Sequence, residues 1–291
     1  MRGTVLGIAG VGLIGGSIAL RARAQGATVI GFDRDADALR AALAAGALDG
    51  TAPDLAALAA RCAVVAIALP VDATLSALAA TPALAGPELV FDVASVKAPV
   101  VAAARGIERF VASHPLAGRE VGGFAAADAT LFEGRTWAIV PARDAAAQAR
   151  LEALVAALGA RPLAIGAADH DRLVAVSSHL PQILSVALGA RLAAAGDADA
   201  RVYDLCGPGM ASMLRLARSN AALWGPIAQA NASTLAEALR AVCTVLEETA
   251  GGLETGDLRA LSATFERAHR AVEALERSPA FARSSTATTK R

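Results

Sequence analysis

A chain of 291 residues, 55% hydrophobic but only 3% aromatic, is long enough for two domains that each bury a core. Its 27 Lys and Arg balance 27 Asp and Glu, and no basic stripe runs through it, which argues against nucleic acid or an anionic membrane as the main partner. Cys62, Cys206 and Cys243 lie far apart without CxxC spacing, the pattern of buried, reduced thiols rather than of a disulfide framework or metal site. The first apolar stretch, Val5 to Ala9, lacks the basic flank and cleavage site of a signal peptide. No apolar run reaches the roughly 18 residues free of charge that a bilayer span needs, so a cytoplasmic protein without a membrane segment is expected.

In the first half, short β-like runs alternate with helical ones. Thr4–Ala9, Thr28–Phe32, Ala63–Leu69, Glu88–Asp92 and Phe110–Ser113 are compact, apolar and partly β-branched. Leu13–Gln25, Ala36–Ala45 and Asp72–Ala80 are alanine-rich with helical periodicity, and Gly26 and Gly46 stand where C-terminal cap glycines belong. Such alternation predicts an α/β domain built on a parallel sheet with right-handed crossovers. Trp137–Pro141 and Arg161–Ile165 read as two more strands around a helix at Ala145–Leu158. After about Gly166 only helical patterns follow: Ala168–Ala195, Ala211–Arg218, roughly Asn220–Ala250 and Leu258–Arg277, with Pro181 and Pro226 as expected kinks. The expected division is a dinucleotide-binding domain at 1–166, an all-α substrate and dimerisation domain at 167–283, and a frayed polar tail at 284–291.

Gly10-Val11-Gly12-Leu13-Ile14-Gly15 is a GxGxxG pattern that follows one of the strand-like runs and opens a helix. In that context Gly10 permits the tight turn, Gly12 lets a pyrophosphate approach the backbone, and Gly15 lets helix and strand pack closely. The helix N-terminus, from Leu13 and Ile14, offers N–H groups and a positive dipole end. Asp33 ends the second strand, 18 residues after Gly15, near the usual separation for the ribose-binding acid. A carboxylate there favours NAD over NADP, although Arg34 follows it; Asp33 can also cap the next helix. Leu69 and Pro70, ending a further strand, would border the cofactor.

His114, in His114-Pro115-Leu116-Ala117-Gly118-Arg119-Glu120, follows the run Arg109 to Ser113, which places an imidazole at the carboxyl edge of the sheet where such folds bind ligands. There it can take a hydroxyl proton while a nicotinamide takes the hydride. Ser95, in Asp92-Val93-Ala94-Ser95-Val96-Lys97, would project a hydroxyl beside it or cap the helix that follows. Lys97 reads as packing and helix-terminus electrostatics. Of the other histidines, His170 and His269 sit among charged residues and read as solvated, whereas His179 lies beside Pro181 in the most apolar helix.

Gly12-Leu13-Ile14-Gly15-Gly16-Ser17, Asp92 to Lys97, His114 to Glu120, Ser178-His179-Leu180-Pro181 and Arg215-Leu216-Ala217-Arg218-Ser219 occur in this order. Together they resemble the prephenate/arogenate dehydrogenase family of tyrosine biosynthesis, over about residues 4 to 278. The resemblance implies a Rossmann-like domain followed by a helical dimerisation domain, a homodimer, and NAD-dependent oxidative decarboxylation of a cyclohexadienol, prephenate or arogenate. By the same resemblance His114 is the catalytic histidine, Ser95 hydrogen-bonds near it, His179 contacts the substrate side chain, Arg215 binds a substrate carboxylate and Glu120 gates the site. Prephenate carries two carboxylates, and an arginine is the natural partner of such planar anionic groups. The chain departs from many relatives at Ala211-Ser212 and at Gln182, both in the substrate side-chain region, which leaves prephenate and arogenate open. Neither a chorismate mutase before Val5 nor a regulatory domain after the helices is expected. Two other readings remain: a related hydroxyacid or imine oxidoreductase, which would want a lysine on the helical part where the chain has none (its lysines are Lys97 and Lys290), and a non-catalytic NAD-binding dimer.

Overall fold

The computed structural model describes residues 1–79, 81–119 and 121–278, so Glu120 and the tail 284–291 lie outside the described residues. Strands β1 (Val5–Ala9), β2 (Thr28–Phe32), β3 (Gly50–Thr51), β4 (Val64–Ile67), β5 (Leu89–Asp92) and β6 (Phe110–Val111) form one sheet in the order β3-β2-β1-β4-β5-β6. Every pairing in it is parallel. Between them run α1 (Leu13–Ala24), α2 (Ala36–Ala44), α3 (Leu55–Arg61), α4 (Val71–Ala79) and α5 (Ala98–Ala103). Helices cover both faces, which is why β4 and β5 are buried at every position and read as uninterrupted apolar runs. Alternate residues feed two cores: Leu6, Ile8, Leu89 and Phe91 one, Ala9, Val65, Ile67 and Val90 the other. The chain leaves β1 for β2 on one side and returns to β4 on the other, opening a crevice above the carboxyl ends of β1 and β4.

The run read as one strand over Phe110–Ser113 divides at Ala112. Ser113–Pro115 is β7, which pairs antiparallel with β8 (Thr136–Ile139), setting His114 opposite Ala138; β9 (Arg161–Ala164) pairs parallel with β8 after α6 (Ala145–Ala157). His114 therefore sits in a second, three-stranded sheet just beyond the carboxyl end of β6. The short elements β3 and α3, of two and seven residues, carry too little periodicity to be read from sequence, whereas the helix expected after Ser95 is present as α5.

The chain falls into two compact units, residues 1–231 and residues from 232 onward. The first also holds α7 (Ala167–Val174), α8 (Leu180–Ala198), α9 (Pro208–Met213) and α10 (Ala221–Ala230); the second holds α11 (Ala232–Thr255) and α12 (Arg259–Glu276). A π-turn at Ala175–His179 joins α7 to α8. Its cause is Pro181, which has no N–H and whose ring would press on the carbonyl four residues back; the wider turn relieves that clash. The helix expected over Asn220–Ala250 runs through Pro226 and breaks instead at Asn231. By length and composition alone, the helical stretch 167–198 passes as a membrane span, contrary to the reading above. Its buried polar face explains its place in the fold instead: His170, Asp171 and His179 on it are each at most 5% exposed and hydrogen-bonded within the first unit. Buried thiols were expected throughout, yet only Cys62 is buried; Cys206 is intermediate and Cys243 exposed. Burial pushes the Cys62 thiol up to about 11, against the opposing Arg61 charge.

Candidate active site

The glycine turn lies between β1 and α1, against the end of β4. Gly10 has φ +95°, and a Cβ there would come within 2.3 Å of the Ala68 carbonyl oxygen and 3.1 Å of Leu69 Cδ2. At Gly15 a Cβ would sit 1.9 Å from the Gly10 carbonyl oxygen, so only hydrogen fits. At Gly12 a Cβ would meet nothing within 4 Å, which leaves open space over the turn. Helix α1 begins at Leu13 with no side-chain cap and no acid in its first turn, so among the described residues its leading N–H groups are uncapped and suit an anion.

The Asp33 carboxylate accepts from Val11 N (2.6 Å) and Asp35 N (2.9 Å), tying the end of β2 to the glycine turn. It does not cap α2; Asp35 does, accepting from Asp37 N and Ala38 N. Leu69 flanks Gly10, and Pro70 is exposed at the start of α4, where Thr74 donates to the carbonyls of both. A close-approach turn, uncapped N–H groups and a held carboxylate fit a dinucleotide.

Beyond β5 and β6 a buried polar cluster forms the chemical end. Asp92 ends β5 fully buried and accepts from Ser113 N (2.9 Å), Ala94 N (2.9 Å) and Lys97 Nζ. Lys97 Nζ also donates to the Ser113 carbonyl (2.6 Å), and Trp137 Nε1 donates to Ser113 Oγ (3.0 Å). These bonds set the start of β7, one residue before His114. Lys97 is thus far more than helix packing. Burial pushes the Asp92 carboxyl up and the Lys97 ammonium down, each opposed by the partner.

His170, read as solvated, is 2% exposed and stands at the centre of the site. Its Nδ1 lies 2.8 Å from Asp171 Oδ1, and its Nε2 lies 3.0 Å from His114 Nδ1. Asp171 also accepts from Lys97 N (2.7 Å) and Ala98 N (2.8 Å), capping α5. Burial raises its pKa, but the bonds from His170, Ala98 and Lys97 outweigh that and hold it below the usual carboxylate value. An ionised carboxylate only accepts, so a singly protonated His170 carries its proton on Nδ1. Its Nε2 then accepts from His114 Nδ1–H, which leaves the lone pair of His114 on Nε2. The sequence signal missed was the helical face 170, 171, 174, 175 and 179, all buried; the charged neighbours Asp169 and Arg172 masked it. Ser95 is partly buried and makes no hydrogen bond to His114 among the described residues, so His170, not Ser95, orients the imidazole. Nor does Ser95 cap α5, a role filled by Asp171 from another helix.

His179 is 1% exposed, with Nδ1 3.3 Å from Asn231 Nδ2 and its ring edge-on to Trp224 at 5.8 Å between centroids. Burial lowers its pKa, His170 adding to that and Asp171 opposing it. Arg215 is exposed on a 3-10 turn, Arg215–Arg218. Helix α8 holds that turn: Gln182 Nε2 donates to the Leu216 carbonyl (2.8 Å), Ser219 Oγ to Gln182 Oε1 (3.3 Å) and Ser185 Oγ to the Met213 carbonyl (2.7 Å). Gln182 therefore positions the arginine turn. Glu120 lies outside the described residues.

Burial, with the nearby charges of His170, Lys97 and His179, holds His114 well below the ordinary imidazole value. The ring is then neutral at pH 7 and able to accept a proton. The acid limb of kcat/KM is expected below pH 6.5, the ordinary imidazole value. Stability follows the same sign. Between the depressed native value and about 6.5 the unfolded chain binds a proton that the native ring refuses, so stability present above that window is lost as pH falls. An acid limb at or above pH 7 would contradict this electrostatic picture.

A parallel sheet in this order, with a dinucleotide turn at its switch point and a lone-pair histidine beyond the neighbouring strands, defines a nicotinamide-dependent dehydrogenase. The nucleotide-binding domain of prephenate dehydrogenase matches residues 17–163, and its dimerization domain matches residues 166–267. The chain belongs to the prephenate dehydrogenase family. A Streptomyces niveus protein described as a probable prephenate dehydrogenase, NovF, is 35% identical over 266 residues, 86% of this chain and 70% of the relative. The prephenate dehydrogenase of Bacillus subtilis is 33% identical over 238 residues, 78% of this chain and 64% of the relative, a little under two thirds of its length. The fold matches the crystal structure of prephenate dehydrogenase from A. aeolicus in complex with hydroxyphenyl propionate and NAD+, with TM-score 0.87, 22% identity, and coverage of 94% of this chain and 99% of that one.

Proposed function

We propose that this chain catalyses the NAD-dependent oxidative decarboxylation of prephenate to 4-hydroxyphenylpyruvate. The observation that carries the reading is the Asp171–His170–His114 relay, which leaves a neutral imidazole with its lone pair on Nε2. Gly10, Gly12, Leu13, Ile14 and Gly15 would hold the pyrophosphate, Asp33 the ribose hydroxyls, and Leu69 and Pro70 would border the cofactor. Bound NAD supplies the hydride acceptor. His114 Nε2 takes the proton of the ring hydroxyl, and Ser95 contacts the same oxygen. The developing positive charge on His114 is shared through His170 with Asp171. The ring carboxylate leaves as CO2 as the ring becomes aromatic. His179 meets the substrate side chain, Arg215 pairs with a substrate carboxylate, and Glu120 orders the site.

The functional boundary is placed at 166/167, and the chain acts as a cytoplasmic homodimer through its helical part. Leu246, Leu253, Phe265, Val272 and Leu275 are each more than half exposed on α11 and α12, an apolar surface that a second copy would cover. Light scattering should give twice the monomer mass.

Assays of prephenate and arogenate, each with NAD and NADP, test the reading. Turnover of prephenate with NAD is expected; turnover of neither substrate with either cofactor would end it. The Arg215→Ala enzyme should show KM for prephenate raised about 10-fold or more, with KM for NAD unchanged. If both constants rise together, the arginine is structural.

A further inference from the structure

Asn231 stands where a long helix breaks. It ends α10 with φ −120° and ψ 29°, is 5% exposed, and is flanked by Ala230 and Ala232, with neither Gly nor Pro next to it to explain the break. Its Nδ2 lies 2.8 Å from the Asp171 carbonyl oxygen and 3.3 Å from His179 Nδ1. A carbonyl only accepts, so the amide nitrogen, not the oxygen, must face Asp171. Its second hydrogen points to His179 Nδ1, which must then hold a lone pair. The ring proton is left on His179 Nε2, which is buried and has no hydrogen-bond partner among the described residues. Asp171 thus anchors two chains: its carboxylate sets His114 through His170, and its carbonyl sets His179 through Asn231.

We propose that Asn231 is a positioning residue that holds His179 as the Nε2–H tautomer, so that the site presents a fixed donor to the substrate side chain and selects a 2-keto acid over the corresponding 2-amino acid. This rests on the reading of His179 given above. A pyruvyl side chain offers only acceptor oxygens next to the carbonyl carbon, and one of them pairs with the orphan N–H. An ammonium at that carbon has three donors and no lone pair, so it meets the same N–H as donor against donor. His114 has the opposite assignment, acceptor at Nε2, and the two histidines face the two ends of the substrate with unlike hydrogen-bonding roles.

The test uses the full-length enzyme with histidine side chains labelled with 15N, His179 being assigned by loss of its signal in His179→Gln. The free wild-type enzyme should show His179 protonated at Nε2. Asn231→Asp, which puts an acceptor opposite Nδ1, should move the proton to Nδ1. It should also raise KM for prephenate at least 10-fold, leave kcat within about 3-fold, and shift the prephenate-to-arogenate ratio of kcat/KM at least 10-fold toward arogenate. The acid limb set by His114 should stay in place. A wild-type His179 protonated at Nδ1 overturns the proposal whatever the variant does, which covers an Asn231→Asp protein that does not fold. An unchanged substrate ratio in a folded variant overturns it too. Absence of turnover on both substrates by the wild type would instead overturn the proposed function, and the tautomer spectrum would still decide the role of Asn231.

Discussion

Replacing His114 with asparagine is expected to lower kcat by about 10²–10⁴-fold, the range for loss of a general base, with the Kd for NAD within about 2-fold of wild type. That loss equals roughly 3–5 kcal/mol of barrier. The asparagine retains an N–H toward His170 but has no lone pair of imidazole basicity. The cofactor contacts should survive because Gly10 and Asp33 follow directly on β1 and β2 and Gly15 lies in α1, none of them in β7. His170→Asn should cost less, about 10–100-fold, because it frees the His114 ring to take the other tautomer without removing the base. Unchanged kcat in the His114→Asn enzyme, measured at saturating prephenate and NAD, would remove the histidine from the chemistry. An equal loss of NAD affinity would mean that the variant had disturbed the fold.

The second large effect is on stability. Lys97→Met removes the ammonium from a fully buried pair and leaves the Asp92 carboxylate with only the Ser113 and Ala94 amides. Breaking a buried pair on one side costs about 3–5 kcal/mol, a large part of the roughly 5–15 kcal/mol that holds a domain folded. At about 2–4 °C per kcal/mol for a chain of this size, Tm should fall by about 6–20 °C. The Asp92→Asn/Lys97→Met double variant should recover much of the loss, since a neutral amide keeps a hydrogen bond to Ser113 without an uncompensated charge. Lys97 is also one of the charges that depress His114, so in the single variant the acid limb should move up. A Tm within about 2 °C of wild type would show that the pair is replaceable and that β7 is set by Trp137 and the sheet instead.

The strands of the large sheet were legible because burial on both faces turns each into an apolar run, as Val64–Ile67 and Leu89–Asp92 show. The glycine turn was legible because GxGxxG between a strand and a helix has few other uses. His114 was legible by its motif, though its strand was assigned to the wrong sheet. β7 is three residues long and exists only because β8, more than 20 residues later, pairs with it. His170 was misread because its neighbours Asp169 and Arg172 are solvated while its own side of α7 turns inward. Asn231 was missed because a lone cap-type residue in Gln229-Ala230-Asn231-Ala232, with no Gly or Pro beside it, does not by itself fix a helix end.

Local pattern alone therefore determined the α/β domain, the nucleotide turn, the helical second half and the family resemblance, because each depends on periodicity or on residues close together in the chain. The tertiary structure alone decided the proton positions on His114 and His179. Those depend on the hydrogen bond that Asp171, 57 residues beyond His114, accepts from His170, and on the one from Asn231, 52 residues beyond His179. A ring nitrogen takes its role from the group it faces in space, and a linear pattern does not contain that group.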